Sequence, residues 1–133
     1  MEIISVENVN RDLLRAHFDQ AYFNTGLDDK GSLFVQDKYK VYVDVGKKNQ
    51  NITFSVYFNF NDDAANPDRR DLVDAINAGL MQLKAVLSDK VLTLEYDLWV
   101  EGGVLPKNVI LAYRSYVSQV SAALTKDEKR VLQ

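Results

Sequence analysis

The amino-acid sequence predicts an α+β protein in which helices cover one face of a twisted, largely antiparallel sheet. Three observations support this class. Residues 39–45 and 52–60 alternate apolar and polar side chains, short polar segments join the predicted strands, and three further segments carry apolar residues at helical spacing. A period of two is typical of a strand with one face in the core, and short connections favour antiparallel neighbours. The predicted order of elements is α-β-β-β-α-β-β-α.

The first predicted helix covers residues 6–22. Its charged residues fall on one side and its apolar residues on the other, the latter being Val6, Val9, Leu13, Leu14 and Ala21. His17, the single histidine, lies on the apolar side, one turn from Leu13 and from Ala21. The helix is therefore expected to pack this side against the sheet.

Three strands are predicted next, after turn signals at Thr25-Gly26 and residues 28–31. The first covers residues 32–36. In the second, Lys40, Tyr42 and Asp44 oppose an apolar face made of Tyr39, Val41, Val43 and Val45. In the third, polar residues and Tyr57 oppose an apolar face made of Ile52, Phe54, Val56, Phe58 and Phe60. The polar connection at residues 46–50 predicts a hairpin between these two strands.

The second half of the chain predicts a helix, two strands and a last helix. Asn66 is the expected N-cap, with Pro67 at the first helical position and Asp68 in the first turn, near the positive end of the helix dipole. Gly79 lies in the apolar stripe and is interpreted as a point where helix and sheet approach closely. Strands follow at residues 84–87 and 91–100.

The last predicted helix follows Pro106. Leu105, which precedes it, is a poor N-cap because its side chain offers no oxygen to the free amides of the first turn. Residues 125–133 are polar and are expected to fray.

The strand at residues 91–100 contains the acids that most resemble a catalytic pair. Glu95 and Asp97 alternate with apolar residues, so both are predicted on the outer face of the sheet, where water keeps them ionised. General acid–base catalysis would require one of them to be buried, with its pKa moved towards neutrality. The pattern therefore predicts a solvated face and no catalytic pair.

Trp99 follows the acids on the same outer face. A large aromatic ring on an otherwise polar face is typical of a protein-binding surface, and Tyr57 and Tyr42 are predicted on the outer face as well. We name Trp99, Tyr57 and Tyr42 as candidate contact residues. The alternative is that the Trp99 ring folds over the sheet edge or under the following segment.

Other chemistry finds little support in the sequence. His17 has no cysteine, second histidine or nucleophile motif to act with, which favours a structural role. The acidic pairs at residues 28–29 and 62–63 lack the ligand spacing of a calcium loop, and no phosphate-binding glycine loop is present. We predict no catalytic residue, no metal and no cofactor.

Charge and hydropathy exclude two classes of partner. The net charge of −3 and the scattered basic residues argue against nucleic-acid binding, which needs a clustered basic surface. No apolar run of about 18 residues predicts a membrane span. The absence of cysteine and of a signal-peptide pattern favours a cytoplasmic protein.

Several motifs resemble the YbjN-like family. They are DLVDAINAGL at residues 71–80, VLTLEYDLWVEGG at 91–103 and the helix opened by Pro106, and the likeness extends over roughly residues 25–124. Ile76-Asn77 and the four residues 95–98 carry it most strongly. The chain departs from the family pattern in a shorter connection around residues 81–91, and in Leu105, where a capping Ser or Thr is usual.

The family is labelled as bacterial sensory transduction regulators and has the fold of the class I type III secretion chaperones. The resemblance implies a non-catalytic, dimeric adaptor or chaperone that binds a protein segment. We therefore expect a single domain over residues 1–133 that acts as a homodimer and takes a protein or peptide at a sheet edge or across the aromatic face. Two other classes stay open: a small hydrolase-type enzyme using Asp97, Glu95 or His17, and an accessory domain without a dedicated ligand.

Overall fold

The computed structural model describes residues 2–133, which form three helices and six strands. In chain order these are α1 (Arg11–Gln20), β1 (Thr25–Leu27), β2 (Leu33–Gln36), β3 (Lys40–Val45), β4 (Asn51–Asn59), α2 (Asn66–Gly79), β5 (Lys84–Leu87), β6 (Val91–Trp99) and α3 (Pro106–Leu124). The predicted α+β class is confirmed. One short strand, β1, is added where the sequence predicted only a turn.

The sheet is open and antiparallel, with the strand order β1-β2-β3-β4-β6-β5. Two backbone hydrogen bonds fix the alignment of β4 with β6: Val100 N–H donates to the carbonyl of Gln50 at 2.8 Å, and Phe60 N–H donates to the carbonyl of Lys90 at 2.9 Å. This register places Asp97 opposite Thr53. Both edge strands, β1 and β5, are short, which limits edge-to-edge association.

The helix starts differ from the predicted ones by a few residues. Helix α1 begins at Arg11, not near residue 6, because Asn10 acts as N-cap and its side-chain oxygen accepts a hydrogen bond from Leu13 N–H at 2.8 Å. Helix α2 begins at Asn66 itself, so the predicted N-cap was wrong by one position. The N-cap of α2 is Ala65, which makes no side-chain hydrogen bond.

The chain divides into two compact units, and β4, β6 and α3 each pass from one unit to the other. The first unit comprises the chain up to Phe54 together with Asp97–Ser115. Its core contains edge-to-face aromatic pairs that join α1, β4 and α3: Tyr113 lies 5.2 Å from Phe18 and 5.8 Å from Phe54, measured between ring centroids. The expectation of a single domain over residues 1–133 stays a prediction.

The second unit comprises Ser55–Tyr96 and Tyr116–Gln133. Its buried residues come from β4, α2, β5, β6, α3 and the segment after α3, and include Val56, Phe60, Leu72, Ile76, Ala85, Leu92, Leu94, Tyr116, Val120 and Val131. The hydroxyl of Tyr116 donates a hydrogen bond to the backbone carbonyl of Leu94, which fixes α3 on β6 within this unit.

Two expectations for the second unit differ from the structure. Gly79 is the last residue of α2, and a Cβ atom there would lie 2.7 Å from Nζ of Lys126, so the close neighbour is a lysine side chain and not the sheet. The segment after α3 is not free, since Val131 is only 2% exposed and accepts a hydrogen bond from Asn61 N–H at 2.7 Å. The polar composition of the segment after α3 did not indicate that it would be held, because its backbone makes most of the contacts.

Candidate functional site

Glu95 lies on the outer face of β6, as predicted, and is paired across the sheet. The register places it directly opposite Lys84 of β5. Its Oε1 lies 3.9 Å from Nζ of Lys84, and 27% of the Glu95 side chain is exposed. A partly exposed pair of this kind contributes little to stability. The arrangement is typical of a cross-strand charge pair on a solvated sheet.

Asp97 is exposed and binds two side chains of β4. It accepts hydrogen bonds from Thr53 Oγ1 at 2.5 Å and from Asn51 Nδ2 at 3.0 Å. The Asn51 side chain in turn covers Gly46, where a Cβ atom would lie 2.1 Å from Asn51 Oδ1. Asp97 therefore ties β6 to β4 beside the hairpin that joins β3 and β4.

His17 is half-buried on α1. Its Nε2 is buried and has no hydrogen-bond partner among residues 2–133. A general base needs a positioned partner or an open path to a substrate. The structure therefore brings no acid or nucleophile to the Nε2 atom through a hydrogen bond.

Trp99 is the most exposed of the three candidate contact residues. It lies at the end of β6, on the same face as Asp97, and 57% of its surface is open to solvent. The β4–β6 register places it opposite Asn51. An aromatic ring that is exposed on a hydrogen-bonded sheet can lose much apolar surface on association without rearrangement of the backbone.

Tyr42 and Tyr57 have different surroundings. The half-buried Tyr42 ring makes an edge contact with Phe34 at 6.1 Å, and Nζ of Lys40 lies 4.4 Å from the Phe34 ring centroid and 5.5 Å from that of Tyr42. This is a cation–π cluster internal to the sheet face. Tyr57 is 53% exposed. The choice of these three residues as contact residues stays a prediction.

Tyr22 is an exposed residue that the sequence did not indicate. It follows the C-cap of α1, is 96% exposed and has a φ of 67°, a left-handed conformation in which glycine is usual. The predicted helix ran through residue 22, so no sequence signal separated Tyr22 from the helix. Met81, between α2 and β5, is fully exposed as well.

Two further classes of site can be checked against the part of the chain that the structure describes. Among residues 2–133, no group of three or more histidine, aspartate or glutamate side chains is placed to hold a metal ion. No described helix has both the length and the apolar character needed to cross a membrane.

Comparison with known proteins decides the family. A family model named YbjN, with the description "Putative bacterial sensory transduction regulator", matches residues 10–128. The chain belongs to the YbjN family. A crystal structure of YbjN from E. coli, described as "a putative transcription regulator", superposes with a TM-score of 0.82 over 98% of both chains, at 22% sequence identity. At that identity the likeness shows the fold alone. A search of curated proteins found no match.

The residues that carried the YbjN resemblance have structural roles here. Ile76 is fully buried in α2. Asn77, the next residue, uses its side-chain amide to bond both backbone groups of Ala85: Oδ1 accepts from Ala85 N–H at 2.7 Å, and Nδ2 donates to the Ala85 carbonyl at 3.1 Å. These bonds join α2 to the edge strand β5. The YbjN motif at this position is thus explained by the fold.

Proposed function

We propose that this YbjN-family protein is a non-catalytic binding module, a homodimeric regulator or chaperone-like adaptor that takes a protein partner in the cytoplasm. The observation that carries the proposal is Trp99, which is 57% exposed on an open sheet face. Exposed tryptophan on a rigid support is the side chain most often found at the centre of a protein interface. The regulator description of the family supports the same class.

The polar side chains around Trp99 support binding over catalysis. Asp97, its nearest acid along the strand, is engaged by Thr53 and Asn51. A carboxylate that is hydrogen-bonded between two strands can form part of the polar rim of a binding surface. A partner that covers Trp99 would therefore meet an apolar ring beside fixed hydrogen-bonding groups, which is the usual composition of a protein interface.

The geometry favours the sheet face over the β5 edge as the place of contact. An extended partner segment could add to an edge strand only where backbone groups are open. At the middle of β5, Asn77 already occupies the N–H and the carbonyl of Ala85. We therefore propose that the partner, or a second copy of the chain, lies across the outer face at Trp99.

The test compares Trp99→Ala with a matched control. Leu111 on α3 is 59% exposed, so Leu111→Ala removes a similarly exposed apolar side chain from a different element. We expect Trp99→Ala to weaken self-association in sedimentation velocity, or capture of protein partners, at least about tenfold, the range of a hot-spot residue. Leu111→Ala should leave both unchanged. Equal behaviour of the two variants and the parent chain would remove Trp99 from the proposal.

A small hydrolase-type enzyme is the competing class that the sequence left open. Such an enzyme would use His17, Asp97 or Glu95. A turnover panel on the parent chain, His17→Ala and Asp97→Asn separates the classes. The binding proposal predicts no activity that either substitution abolishes, whereas a specific hydrolysis lost in one folded variant would support the enzyme.

A further inference from the structure

The residues that follow α3 behave as an additional short strand. We call residues 126–133 the strap. Asn61 N–H donates to the carbonyl of Val131 at 2.7 Å, Gln133 N–H donates to the carbonyl of Asn59 at 3.0 Å, and Phe60 forms an antiparallel bridge with Leu132. The end of the strap thus pairs with the end of β4 in the way that an added strand pairs with a sheet edge.

Side chains reinforce this pairing, and they recognise backbone rather than side chains of the strap. The Asn61 amide donates to the carbonyls of Arg130 and Leu132 at 2.8 and 3.0 Å. Within the strap itself, the carboxylate of Asp127 accepts from the N–H groups of Val131 and Leu132 at 2.8 and 3.1 Å. The Asn61 contacts belong to the seat and can bind any extended segment, because every residue offers the same backbone carbonyl.

Two contacts depend on the sequence of the strap. Val131 is 2% exposed and is the apolar anchor. Two positions earlier, Nζ of Lys129 lies 3.0 Å from Asp68 and 3.7 Å from Asp71, both on α2. The hydrogen bond to Asp68 raises the pKa of the Lys129 amine. The seat therefore selects a basic residue two positions before an aliphatic one.

The strap is not packed tightly along its length. A cleft of about 570 Å³ separates it from α2, lined by Asp68, Asp71, Leu72, Ala75, residues 125–129 and Val131. Glu128, Lys129 and Arg130 are exposed, and Arg130 has a φ of 54°, a left-handed conformation that is uncommon outside glycine. The strap is thus held to α2 by Lys129 and to the end of β4 by residues 131–133, with the cleft beside it.

We propose that the seat of the strap, formed by the end of β4, Asn61 and the acidic pair Asp68–Asp71, is a docking site for an extended segment of a partner protein with a basic residue two positions before an aliphatic one. The strap of the same chain occupies the site until such a segment displaces it. Backbone pairing supplies affinity, and the burial of the aliphatic side chain together with the acidic pair supplies selectivity. The site shares no residue with the Trp99 surface and does not depend on the proposed function.

The experiment uses the full chain and a fluorescein-labelled peptide with the sequence of residues 126–133, KDEKRVLQ. Two substitutions loosen the strap: Val131→Asp removes its anchor, and Lys129→Ala removes its ion pairs at a side chain that is 61% exposed and tolerates change. By fluorescence anisotropy we expect both variants to bind the peptide at least about tenfold more tightly than the parent chain. The tethered strap of the parent competes at a high effective concentration.

Two controls make the result specific. A peptide with Asp in place of its valine should not bind, and Asp68→Asn with Asp71→Asn in the Lys129→Ala chain should weaken the peptide about tenfold, the usual effect of losing a charge-assisted contact. Adding Trp99→Ala should leave peptide affinity unchanged. If the Lys129→Ala chain is folded by circular dichroism and binds the peptide no better than the parent does, the docking site is wrong. The docking site is equally wrong if the peptide with Asp in place of its valine binds as tightly as the unchanged peptide.

Discussion

At the scale of single residues, the backbone conformation of Tyr22 stands apart from its neighbours. The residue follows α1 with a φ of 67° and is 96% exposed, so its ring contributes little packing to offset the left-handed backbone. A non-glycine residue in this conformation costs roughly 1–2 kcal/mol. Such strain at an exposed aromatic residue is more often found where the side chain has a use outside the fold.

Tyr22→Gly should stabilise the chain. Relief of the left-handed strain, less the greater backbone entropy of glycine, should raise the free energy of unfolding by about 0.5–1 kcal/mol. Urea denaturation measures the change. Tyr22→Ala is the control, since alanine retains the strain and removes the ring. A loss of stability in the glycine variant would show that the Tyr22 ring contributes to the fold after all.

Asp97 shows which part of a residue's role can be predicted from sequence. Alternation along residues 91–100 predicted its outward orientation, because a strand has a period of two whatever its neighbours are. Its hydrogen bonds to Asn51 and Thr53 could not be predicted. They depend on the register of β4 against β6, and the two strands are separated in the sequence by a helix and another strand.

At the scale of elements, the contact of α2 with β5 depends on one side chain. Asn77 supplies a donor and an acceptor to Ala85, the two groups that a neighbouring strand would otherwise supply. An open backbone edge is a site of unintended association. Asn77 therefore both fixes α2 and closes part of the sheet edge.

Asn77→Ala should lower the free energy of unfolding by roughly 1–3 kcal/mol, because two partly buried backbone groups lose their partners. It should also increase concentration-dependent association through β5. Sedimentation velocity and urea denaturation measure these two effects. Asn66→Ala, an exposed asparagine at the start of the same helix, is the control and should change neither. Stability equal to that of the Asn66 variant would show that water replaces the Asn77 amide without cost.

The elements themselves were predictable to different degrees. Strands β3, β4 and β6 are long enough for alternation to be unambiguous, and their buried positions follow it except at Ser55 of β4, which is buried on the predicted polar face. Strand β1 has only three residues, one of them Gly26, and became apparent only through its pairing with β2. Helix α1 begins later than predicted because Asn10 caps it. The segment before the cap is held by another contact, since Ile4 N–H donates to the carbonyl of Val104 at 2.8 Å.

At the scale of the whole molecule, part of the dependence of stability on pH follows from Tyr113 in the aromatic core of the first unit. Burial raises the pKa of its phenol, with a smaller contribution from the charge of Asp37. The hydroxyl has no hydrogen-bond partner among the residues that the structure describes. The folded chain thus holds the protonated phenol at a pH where the unfolded chain has lost that proton.

The sign of the effect is a loss of stability in alkali. Below about pH 10, the ordinary pKa of tyrosine, folded and unfolded chains are both protonated at Tyr113. Above it, only the unfolded chain ionises there, so unfolding becomes more favourable as pH rises. Tyr113→Phe should flatten this decline and raise stability at neutral pH by about 1 kcal/mol, because no unsatisfied hydroxyl stays buried.

Urea denaturation between pH 7 and about pH 11 measures both effects across the ordinary tyrosine pKa. The control is Tyr22→Phe, which alters an exposed phenol and should leave the pH dependence unchanged. A Tyr113→Phe chain that loses stability in alkali as steeply as the parent would contradict this explanation.

The binding surfaces were harder to foresee than the fold. Trp99 could be placed outside because strand alternation is local. The strap could not, because its contacts are backbone bonds to Asn59 and Asn61, about seventy positions away in sequence. Polar composition predicted a free segment, while one aliphatic residue, Val131, and the ion pairs of Lys129 are enough to seat it.

The most direct test of Trp99 as the contact residue uses its own ring, since Trp99 is the single tryptophan of the chain. Its fluorescence emission and its quenching by iodide report how much of the ring meets water, without any substitution. We expect that self-association or partner binding, followed in parallel by sedimentation, shifts the emission to the blue and suppresses quenching. A complex that forms while Trp99 stays as quenchable as in the isolated chain would contradict it.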